Sequence, residues 1–231
     1  MVDKDPARIR AMFERISPGY DRLNRLLSLG VDVLWRRRAA ARLAGAGRVL
    51  DVCSGTGDLA REIRRRGAAR VVGTDFSPAM LRLARRKGGP DAPFQAADTL
   101  RLPFRDGAFD ACAAAFGVRN LADPERGLAE MVRVVRTGGR VLILEFTLPP
   151  NPFLRAVYRA YFDHLLPRAA RLLAPAGAEA YRYLPDSVAR WPRPEELKAM
   201  MERAGLRDVA FEPLTGGIAA IHLGTRPPTG G

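Results

Sequence analysis

The chain has 231 residues, 47% hydrophobic and 27% charged, a composition that predicts one globular core of ordinary kind. Its two cysteines and two histidines exclude a disulfide framework and show no metal-ligand spacing, so we expect no metal site. The formal net charge of +13 comes almost entirely from arginine, and no basic run is interleaved with aromatics, so we expect no nucleic-acid partner.

The N-terminal segment, 1–16, carries charges throughout and lacks the apolar stretch of a secretory signal. No apolar run approaches the roughly 18 residues that a membrane span requires. The sequence therefore predicts a cytoplasmic protein, and it leaves peripheral contact with the inner face of the membrane open. It also leaves open whether the chain forms a homodimer.

Helices are predicted at the N-terminus, over 5–16, from Tyr20 to Gly30, and over the stretch VDVLWRRRAAARL that follows. From residue 48 onward, strands and helices alternate. The predicted strands are 48–53, 69–75, 93–96, 109–118 and 140–146, and the helices between them end at Gly67, at 88–89 and at 138–139. This alternation is typical of an α/β fold of Rossmann-like type, with a mostly parallel sheet between two layers of helices.

The pattern changes after residue 146. A helical, aromatic-rich insertion is predicted over 147–193, then a helix over 195–205, strands over 206–214 and 217–225, and a disordered tail, 226–231. We expect one domain, 1–231, with an N-terminal helical lid at 1–45 and a cofactor-binding core at 46–146. The insertion would add to the lid, and 194–225 would add the last helix and strands to the core.

The stretch VLDVCSGTGDLA predicts a buried strand, a glycine turn and a helix. Gly55, Gly57 and Ala60 also match the dinucleotide spacing G-x-G-x-x-A, so the glycines alone do not identify the ligand. Asp51 and Asp58 bracket the turn, where carboxylates would repel a pyrophosphate and attract an ammonium group. This arrangement favours S-adenosylmethionine (SAM), with its amino-acid end against Asp51 and the glycine amides, over a nicotinamide or flavin.

Carboxylates at the ends of the next strands extend this predicted site. Asp75 ends the second strand, where a carboxylate can accept hydrogen bonds from the ribose hydroxyls of either kind of cofactor. Asp98 ends the third strand, facing the expected adenine amino group, and Phe76 and Met80 would flank the purine. Each carboxylate alone could instead cap a helix, so the prediction depends on their joint position at one edge of the sheet.

Longer motifs run through the chain, namely FERISPGYDRLNRLLSLGVDVLWRR, VLDVCSGTGDLA, FGVRNLAD, EMVRVVRTGGRVLILEF and GIAAIHLG. In these motifs the sequence resembles the C-methyltransferases of menaquinone and ubiquinone biosynthesis, the UbiE/MenG type. The resemblance implies a class I SAM-dependent methyltransferase fold whose seven-stranded sheet has an antiparallel last strand. It also implies methylation of a ring carbon of a prenylated quinol. The reaction it favours converts demethylmenaquinol to menaquinol, with S-adenosylhomocysteine as the second product.

The resemblance, position by position, implies that the cofactor is bound by Thr56, Asp75 and the Asp98-Thr99 pair. Many relatives have an asparagine-alanine pair where this chain has Asp98-Thr99. The two residues are in the expected place, but their side chains differ from those of the relatives. Ala115 stands where some relatives have serine, which leaves only a backbone contact there.

The catalytic residues are expected directly after the fourth predicted strand. Our hypothesis is that Arg119 stabilises the quinolate oxygen, directly or through a water, and that Asn120 orients it. Arginine is a poor base, so its expected contribution is electrostatic. Tyr20 would form a wall over cofactor and substrate, and His222 and His164 are interpreted as structural histidines.

The prenyl tail of such a substrate needs an apolar groove or a membrane to lie in. Phe153, Tyr158, Tyr161 and Phe162 of the insertion could supply a groove, and they are equally typical of an ordinary core. Positive charge outside an apolar opening would favour anionic lipid as a partner surface. The sequence leaves the acceptor open between demethylmenaquinol, the benzoquinol of ubiquinone biosynthesis, and another small phenolic or lipid-like molecule.

Overall fold

The structure is a computed structural model that describes residues 5–88, 93–165, 168 and 178–228. Its centre is one seven-stranded sheet. The strands are β1 (Arg48–Val52), β2 (Arg70–Asp75), β3 (Phe94–Ala96), β4 (Phe109–Ala115), β5 (Val135–Phe146), β6 (Arg207–Leu214) and β7 (Ala219–Thr225). They lie in the order β3-β2-β1-β4-β5-β7-β6, and β7 runs antiparallel to both of its neighbours. The predicted mostly parallel sheet with an antiparallel last strand is confirmed.

Helices precede, connect and follow these strands. They are α1 (Pro6–Ile16), α2 (Tyr20–Leu27), α3 (Val31–Ala41), α4 (Asp58–Arg65), α5 (Pro78–Gly88), α6 (Pro124–Val134), α7 (Pro152–Ala160), α8 (Ala178–Ala189) and α9 (Pro194–Arg203). The predicted start of α1 is confirmed, because the Asp5 side chain accepts a hydrogen bond from the backbone N–H of Ala7. Within the described residues, no helix is both long enough and apolar enough to cross a bilayer.

Alternate residues of the strands point into two separate cores, one on each face of the sheet. Val49 and Ala111 belong to the core that includes α3, α4 and α5, whereas Leu50 and Cys112 belong to the core that includes α6 and α9. A third cluster joins α1 to α5, α7 and the π-helical turn Tyr161–Leu165. This third cluster places the N-terminal helices and the insertion beside the carboxyl ends of the parallel strands.

The helix predicted to reach 138–139 ends earlier, at Val134, and β5 begins at Val135 instead of at residue 140. Val135 pairs with Phe109 of β4, with a register shift before the regular pairing resumes. The side chain of Arg226 contributes to this ending, since its Nη1 donates to the carbonyl of Arg133 at 2.8 Å and of Val135 at 2.6 Å.

The same arginine corrects the prediction of a disordered tail over 226–231. The backbone N–H of Arg226 donates to the carbonyl of Gly139 at 2.8 Å, and its carbonyl accepts from the N–H of Gly138 at 2.8 Å. Arg226 therefore continues the pairing of β7 with β5 by one residue. Residues 229–231 lie outside the described residues, as does most of the insertion between 166 and 177.

Candidate active site

Two adjoining cavities open at the carboxyl ends of the parallel strands. The first, which we call the cofactor crevice, has a volume of about 170 Å³. Its wall includes most of the predicted site residues: Tyr20, Asp51, Gly55, Thr56, Asp75, Asp98, Thr99, Ala115 and Asn120. Gly57 and Arg119 are the predicted site residues outside this wall.

The glycine loop between β1 and α4 uses its two glycines differently. Both have a left-handed backbone, with φ of +55° at Gly55 and +80° at Gly57. A Cβ on Gly57 would lie 2.6 Å from Cζ of Phe94, so this glycine lets the loop pack against β3. A Cβ on Gly55 would meet no atom within 4 Å, and Gly55 lines the crevice, so the loop leaves open space for a ligand there.

Asp51, at the carboxyl end of β1, is completely buried. Its Oδ2 accepts a 2.5 Å hydrogen bond from the Ser54 hydroxyl, whereas its Oδ1 accepts no hydrogen bond from any described residue within the usual limits of distance and angle. Burial raises the pKa of Asp51 to about 7, because the Ser54 hydroxyl and the nearby backbone amide of Ala60 only partly offset the lost hydration. An ammonium group in the crevice would stabilise the charged form of this carboxylate.

Asp75, at the end of β2, ties the glycine loop to the start of α5. Its Oδ2 accepts from the N–H of Gly55 at 2.9 Å and its Oδ1 from the N–H of Ser77 at 2.8 Å. Burial raises the pKa of Asp75 to about 6, against the effect of these amides. Asp75 thus both caps the start of α5 and lines the crevice. Phe76 and Met80 line the crevice as well.

Thr56 and Asp58 belong to an ionic network that fastens the N-terminal helices to the glycine loop. Lys87 of α5 lies 2.6 Å from Asp21 and 2.5 Å from Asp58, and it donates to the Thr56 hydroxyl at 2.9 Å. The Thr56 hydroxyl in turn donates to Asp21 at 2.6 Å. Burial would raise the pKa of Asp58, but Lys87 lowers it below its usual value. The negative charge expected to attract a cation at Asp58 is therefore already compensated.

The adenine end of the crevice is less strongly fixed. Asp98 is exposed and accepts a 2.9 Å hydrogen bond from the backbone N–H of Leu100. Thr99 is buried, with its hydroxyl 3.4 Å from the Cys53 sulfur. Ala115 ends β4 in the wall of the crevice and, as expected, can offer only backbone groups.

The second cavity, which we call the apolar cavity, has a volume of about 410 Å³. Its wall is mainly aromatic and aliphatic and comes from the N-terminal helices, the insertion and β5. Four residues line both cavities and so mark where they meet: Phe13, Tyr20, Arg36 and Phe116. This size and lining are typical of a site for a small, largely apolar ligand.

Arg119 lies in the wall of the apolar cavity and is buried. Its Nη1 donates to Glu145 at 2.7 Å and to the carbonyl of Phe116 at 2.6 Å. Burial raises the pKa of Glu145, and the charge of Arg119 opposes that rise. The guanidinium carbon lies 5.3 Å from the centre of the Phe146 ring, so the cation also faces an aromatic surface.

Asn120 and Tyr20 link the two cavities. Asn120 lines the cofactor crevice, and its Oδ1 accepts a 3.1 Å hydrogen bond from the hydroxyl of Tyr183, which lines the apolar cavity. Burial raises the pKa of the Tyr20 hydroxyl, and the charges of Arg36 and Arg119 oppose that rise. Of the three predicted catalytic residues, Tyr20 thus lines both cavities, Asn120 lines the cofactor crevice and Arg119 lines the apolar cavity.

Neither histidine lines a cavity. His222 is buried in β7, where its Nε2 lies 3.0 Å from the carbonyl of Pro194 and its ring stacks on Phe211. Burial lowers the pKa of His222 to about 4. His164 is exposed on the π-helical turn. No cluster of metal-ligand side chains occurs among the described residues.

Sequence reasoning missed three polar residues in these walls. Arg36 lies in a run of arginines that reads as a solvated helix face, and it pairs with Asp32. The sequence singles out the ring of Tyr158 but not its hydroxyl, which is buried and has no hydrogen-bond partner among the described residues. Tyr183 lies in the insertion, far from Asn120 in sequence, and no local pattern reports that contact.

The donor set of the crevice fits SAM. The carboxylate of Asp51, with its incompletely bonded oxygen, suits an ammonium group, and the open space at Gly55 allows close approach to backbone amides. Asp75 is an acidic acceptor beside the apolar surfaces of Phe76 and Met80, which suits a nucleoside.

The model of the ubiE/COQ5 methyltransferase family matches residues 1–226. The chain belongs to this family. It is 52% identical to the demethylmenaquinone methyltransferase of Thermus thermophilus, over 94% of this chain and 100% of that protein. It is 46% identical to the ubiquinone/menaquinone biosynthesis C-methyltransferase UbiE of Citrifermentans bemidjiense, over 95% and 96% of the two chains. The predicted family, a SAM-dependent methyltransferase that uses SAM as cofactor, is confirmed.

Solved structures share the fold at low sequence identity. A SAM-dependent methyltransferase of Thermotoga maritima, described as a possible histamine N-methyltransferase, aligns with a TM-score of 0.69 at 21% identity, covering 94% of this chain and 99% of that one. The [4+2]-cyclase SpnF aligns with a TM-score of 0.66 at 18% identity, covering 95% of each chain. These likenesses confirm the class I methyltransferase fold.

Proposed function

We propose that the protein methylates a ring carbon of a prenylated quinol in quinone biosynthesis, with demethylmenaquinol as the acceptor and menaquinol as the product. The observation that carries this proposal is the apolar cavity, which adjoins the cofactor crevice and has a buried arginine in its wall. Two of the relatives above carry names that specify this chemistry.

The chain's own residues meet the needs of this reaction. SAM supplies an electrophilic methyl group when bound. A quinol ring carbon becomes strongly nucleophilic when the neighbouring hydroxyl ionises, so the site must stabilise that oxyanion and orient the ring. Arg119 lies in the wall with a positive charge for the oxyanion, and Tyr20 and Asn120 lie at the junction through which the ring carbon must face the crevice.

The ion pair with Glu145 defines what Arg119 can do. Glu145 and the carbonyl of Phe116 hold Nη1, and the Ser187 hydroxyl accepts from Nε at 3.3 Å, so the guanidinium has a fixed position. A fixed, permanently protonated group stabilises charge without accepting a proton. Arg119 therefore takes neither proton: in this proposal water receives the hydroxyl proton as the quinolate forms and the ring-carbon proton after methyl transfer, and the oxyanion is reprotonated once the ring is aromatic again.

The prenyl tail is proposed to extend from the apolar cavity past exposed apolar side chains into a membrane surface. Leu29 and Val157 both line this cavity and are 87% and 51% exposed. A tail that leaves the cavity between them would pass directly to lipid. The enzyme would then bind the membrane peripherally.

The test is methyl transfer from labelled SAM to matched, short-tailed demethylated naphthoquinols and benzoquinols under reducing conditions. We expect labelled menaquinol, and no transfer to the same ring in its oxidised quinone form, which lacks the ionisable hydroxyl. Preferred transfer to the benzoquinol would assign the ubiquinone step instead. Transfer to neither quinol, with transfer to an unrelated phenol, would overturn the proposal.

A further inference from the structure

The charges that line the cofactor crevice are strongly one-sided. Four carboxylates lie in its wall, at Asp51, Asp58, Asp75 and Asp98, of which Asp58 is paired with Lys87 outside the wall. Among the described lining residues, Arg36 provides the one cationic side chain. The amino-acid end of SAM carries an ammonium group and a carboxylate, and acidic residues can serve only the first. A cation beside the glycine amides would stabilise the α-carboxylate further, and among the described lining residues that cation is Arg36.

One side of the Arg36 guanidinium is paired with Asp32, and among the residues that the structure describes its other N–H groups are free to bind a ligand. Its side chain is only 12% exposed, and Nη1 donates to the carboxylate of Asp32, which also accepts a 2.6 Å hydrogen bond from the Ser28 hydroxyl. The guanidinium carbon lies 5.0 Å from the centre of the Phe116 ring. The Nε and Nη2 groups make no hydrogen bond to any residue that the structure describes. Asp32 therefore fixes the side chain from one side and leaves donors on the other.

The surroundings of Arg36 place it at the amino-acid end of the crevice. Its positive charge lowers the pKa of Asp51 and of Asp58, against the larger, opposite effect of burial on both carboxyls. These two residues flank the glycine loop, and Arg36 lines the same crevice. A carboxylate attached one carbon away from an ammonium group at Asp51 would lie within reach of the same region.

We propose that Arg36 binds the α-carboxylate of SAM and of S-adenosylhomocysteine through the N–H groups that Asp32 leaves free. Arg36 is thus a cofactor-binding residue supplied by the N-terminal helices. Its position at the junction of the cavities also couples the seating of the cofactor to the wall of the substrate site. This inference rests on the cofactor and is independent of which acceptor is methylated.

The test is a binding comparison that needs no turnover. Isothermal titration measures the dissociation constants of S-adenosylhomocysteine and of its decarboxylated analogue, S-adenosyl-3-thiopropylamine, which keeps the ammonium group. In the parent protein we expect the carboxylate to strengthen binding by roughly ten- to a hundredfold, as a charge-assisted pair does. In Arg36→Gln the two ligands should bind almost equally. A purely structural role for Arg36 would weaken both ligands and leave their ratio unchanged, and that result would overturn the proposal.

Two control variants keep the comparison interpretable. Arg37→Gln makes the same change on the next residue, which is half exposed, lies 3.9 Å from Glu62 and lines neither cavity, so its ratio should match the parent's. If Arg36→Gln alone fails to fold because Asp32 is left unpaired, the double variant Asp32→Asn/Arg36→Gln removes both charges and is titrated instead. Equal binding of both ligands by the parent protein would also contradict the proposal. A protein that shows the expected ratio yet methylates no quinol would refute only the proposed acceptor.

Discussion

Asp51 is expected to carry a proton near neutral pH in the cofactor-free protein, because burial raises its pKa to about 7. A carboxyl whose pKa is raised by folding stabilises the fold fully below its unfolded pKa and loses that contribution as the pH rises through the folded value. The bound ammonium group reverses this preference, since it favours the ionised carboxylate. Cofactor binding should therefore release a proton and strengthen as the pH rises toward neutrality.

We predict that the affinity for S-adenosylhomocysteine rises between about pH 5.5 and about pH 7.5, by at most about tenfold per unit for each carboxyl involved. Isothermal titration in buffers of different ionisation enthalpy counts the protons released. The Asp51→Asn protein should bind S-adenosylhomocysteine more weakly, and its affinity should no longer change with pH near pH 7. Asp75 is still present in this variant, so the change in affinity near pH 6 should remain. Affinity that does not change with pH in the parent protein would contradict this prediction.

The buried pair of Arg119 and Glu145 means that Arg119→Ala would lose stability as well as the side chain, so a fall in its activity alone would not assign a catalytic role. Glu145 is 1% exposed, so Arg119→Ala leaves a buried carboxylate without its partner. Loss of one member of such a pair costs about 3–5 kcal/mol of unfolding free energy. We expect urea denaturation to show that loss in Arg119→Ala and to show most of it recovered in Arg119→Ala/Glu145→Gln.

Activity is then compared between Glu145→Gln and the double variant, which differ only at position 119. If Arg119 stabilises the oxyanion, turnover of a short-tailed quinol falls strongly from Glu145→Gln to the double variant, measured at a temperature where both proteins are folded. Equal turnover would remove Arg119 from the reaction and leave it as a structural residue.

For single residues, the sequence predicts where a side chain lies in the fold better than it predicts which side chain it pairs with. Asp51 and Asp75 were located because strand ends share one edge of a parallel sheet, and their neighbours on the chain fix their environment. The compensation of Asp58 by Lys87 and of Arg119 by Glu145 crosses 29 and 26 positions of the chain, respectively. No local pattern reports such contacts.

Among the elements, the loop between β1 and α4 offers a matched pair of glycine variants. Alanine at either Gly55 or Gly57 must adopt a left-handed backbone, at about 1 kcal/mol or more. Gly57→Ala also drives its Cβ into the Phe94 ring, so we expect a further loss of about 1–3 kcal/mol of stability. Gly55→Ala places its Cβ in open space at the crevice, so we expect the smaller stability loss.

Cofactor binding should rank these variants in the opposite order to their stability. We expect Gly55→Ala to weaken S-adenosylhomocysteine binding at least about tenfold, because the added methyl takes up space that the loop leaves for the ligand. Folded Gly57→Ala should bind nearly as the parent does. Thermal denaturation and titration of both proteins check this, and parent-like binding by Gly55→Ala would contradict it.

The element pattern was predictable wherever local periodicity and tertiary packing agree. The strands from β1 to β4 and the helices between them follow that rule. The boundary between α6 and β5 did not, because the stretch VRTGG has no periodicity of its own. Its conformation is decided by pairing with β4 and by the carbonyl contacts of Arg226, some 90 residues further along the chain.

At the scale of the whole molecule, the N-terminal helices and the insertion expose apolar side chains near the opening of the apolar cavity. Leu26 and Leu29 come from the end of α2 and the turn after it, and Phe153 and Val157 come from α7. Phe153 is 78% exposed, which is unusual for an aromatic ring without a partner surface. Together with the net charge of +13, this supports an anionic lipid surface as the partner.

We predict that the protein binds vesicles containing anionic lipid, that added salt weakens this binding, and that vesicles of neutral lipid bind less. Leu26→Ser/Phe153→Ser should reduce binding by at least about tenfold, since each side chain would bury apolar surface worth about 1.5–3 kcal/mol in the bilayer. Neither residue lines a cavity, so turnover of a short-tailed quinol should stay unchanged while turnover of a long-tailed quinol in vesicles falls. Co-sedimentation and the two turnover assays check this. Parent-like sedimentation of the variant, or binding indifferent to salt, would contradict the proposed lipid-binding surface.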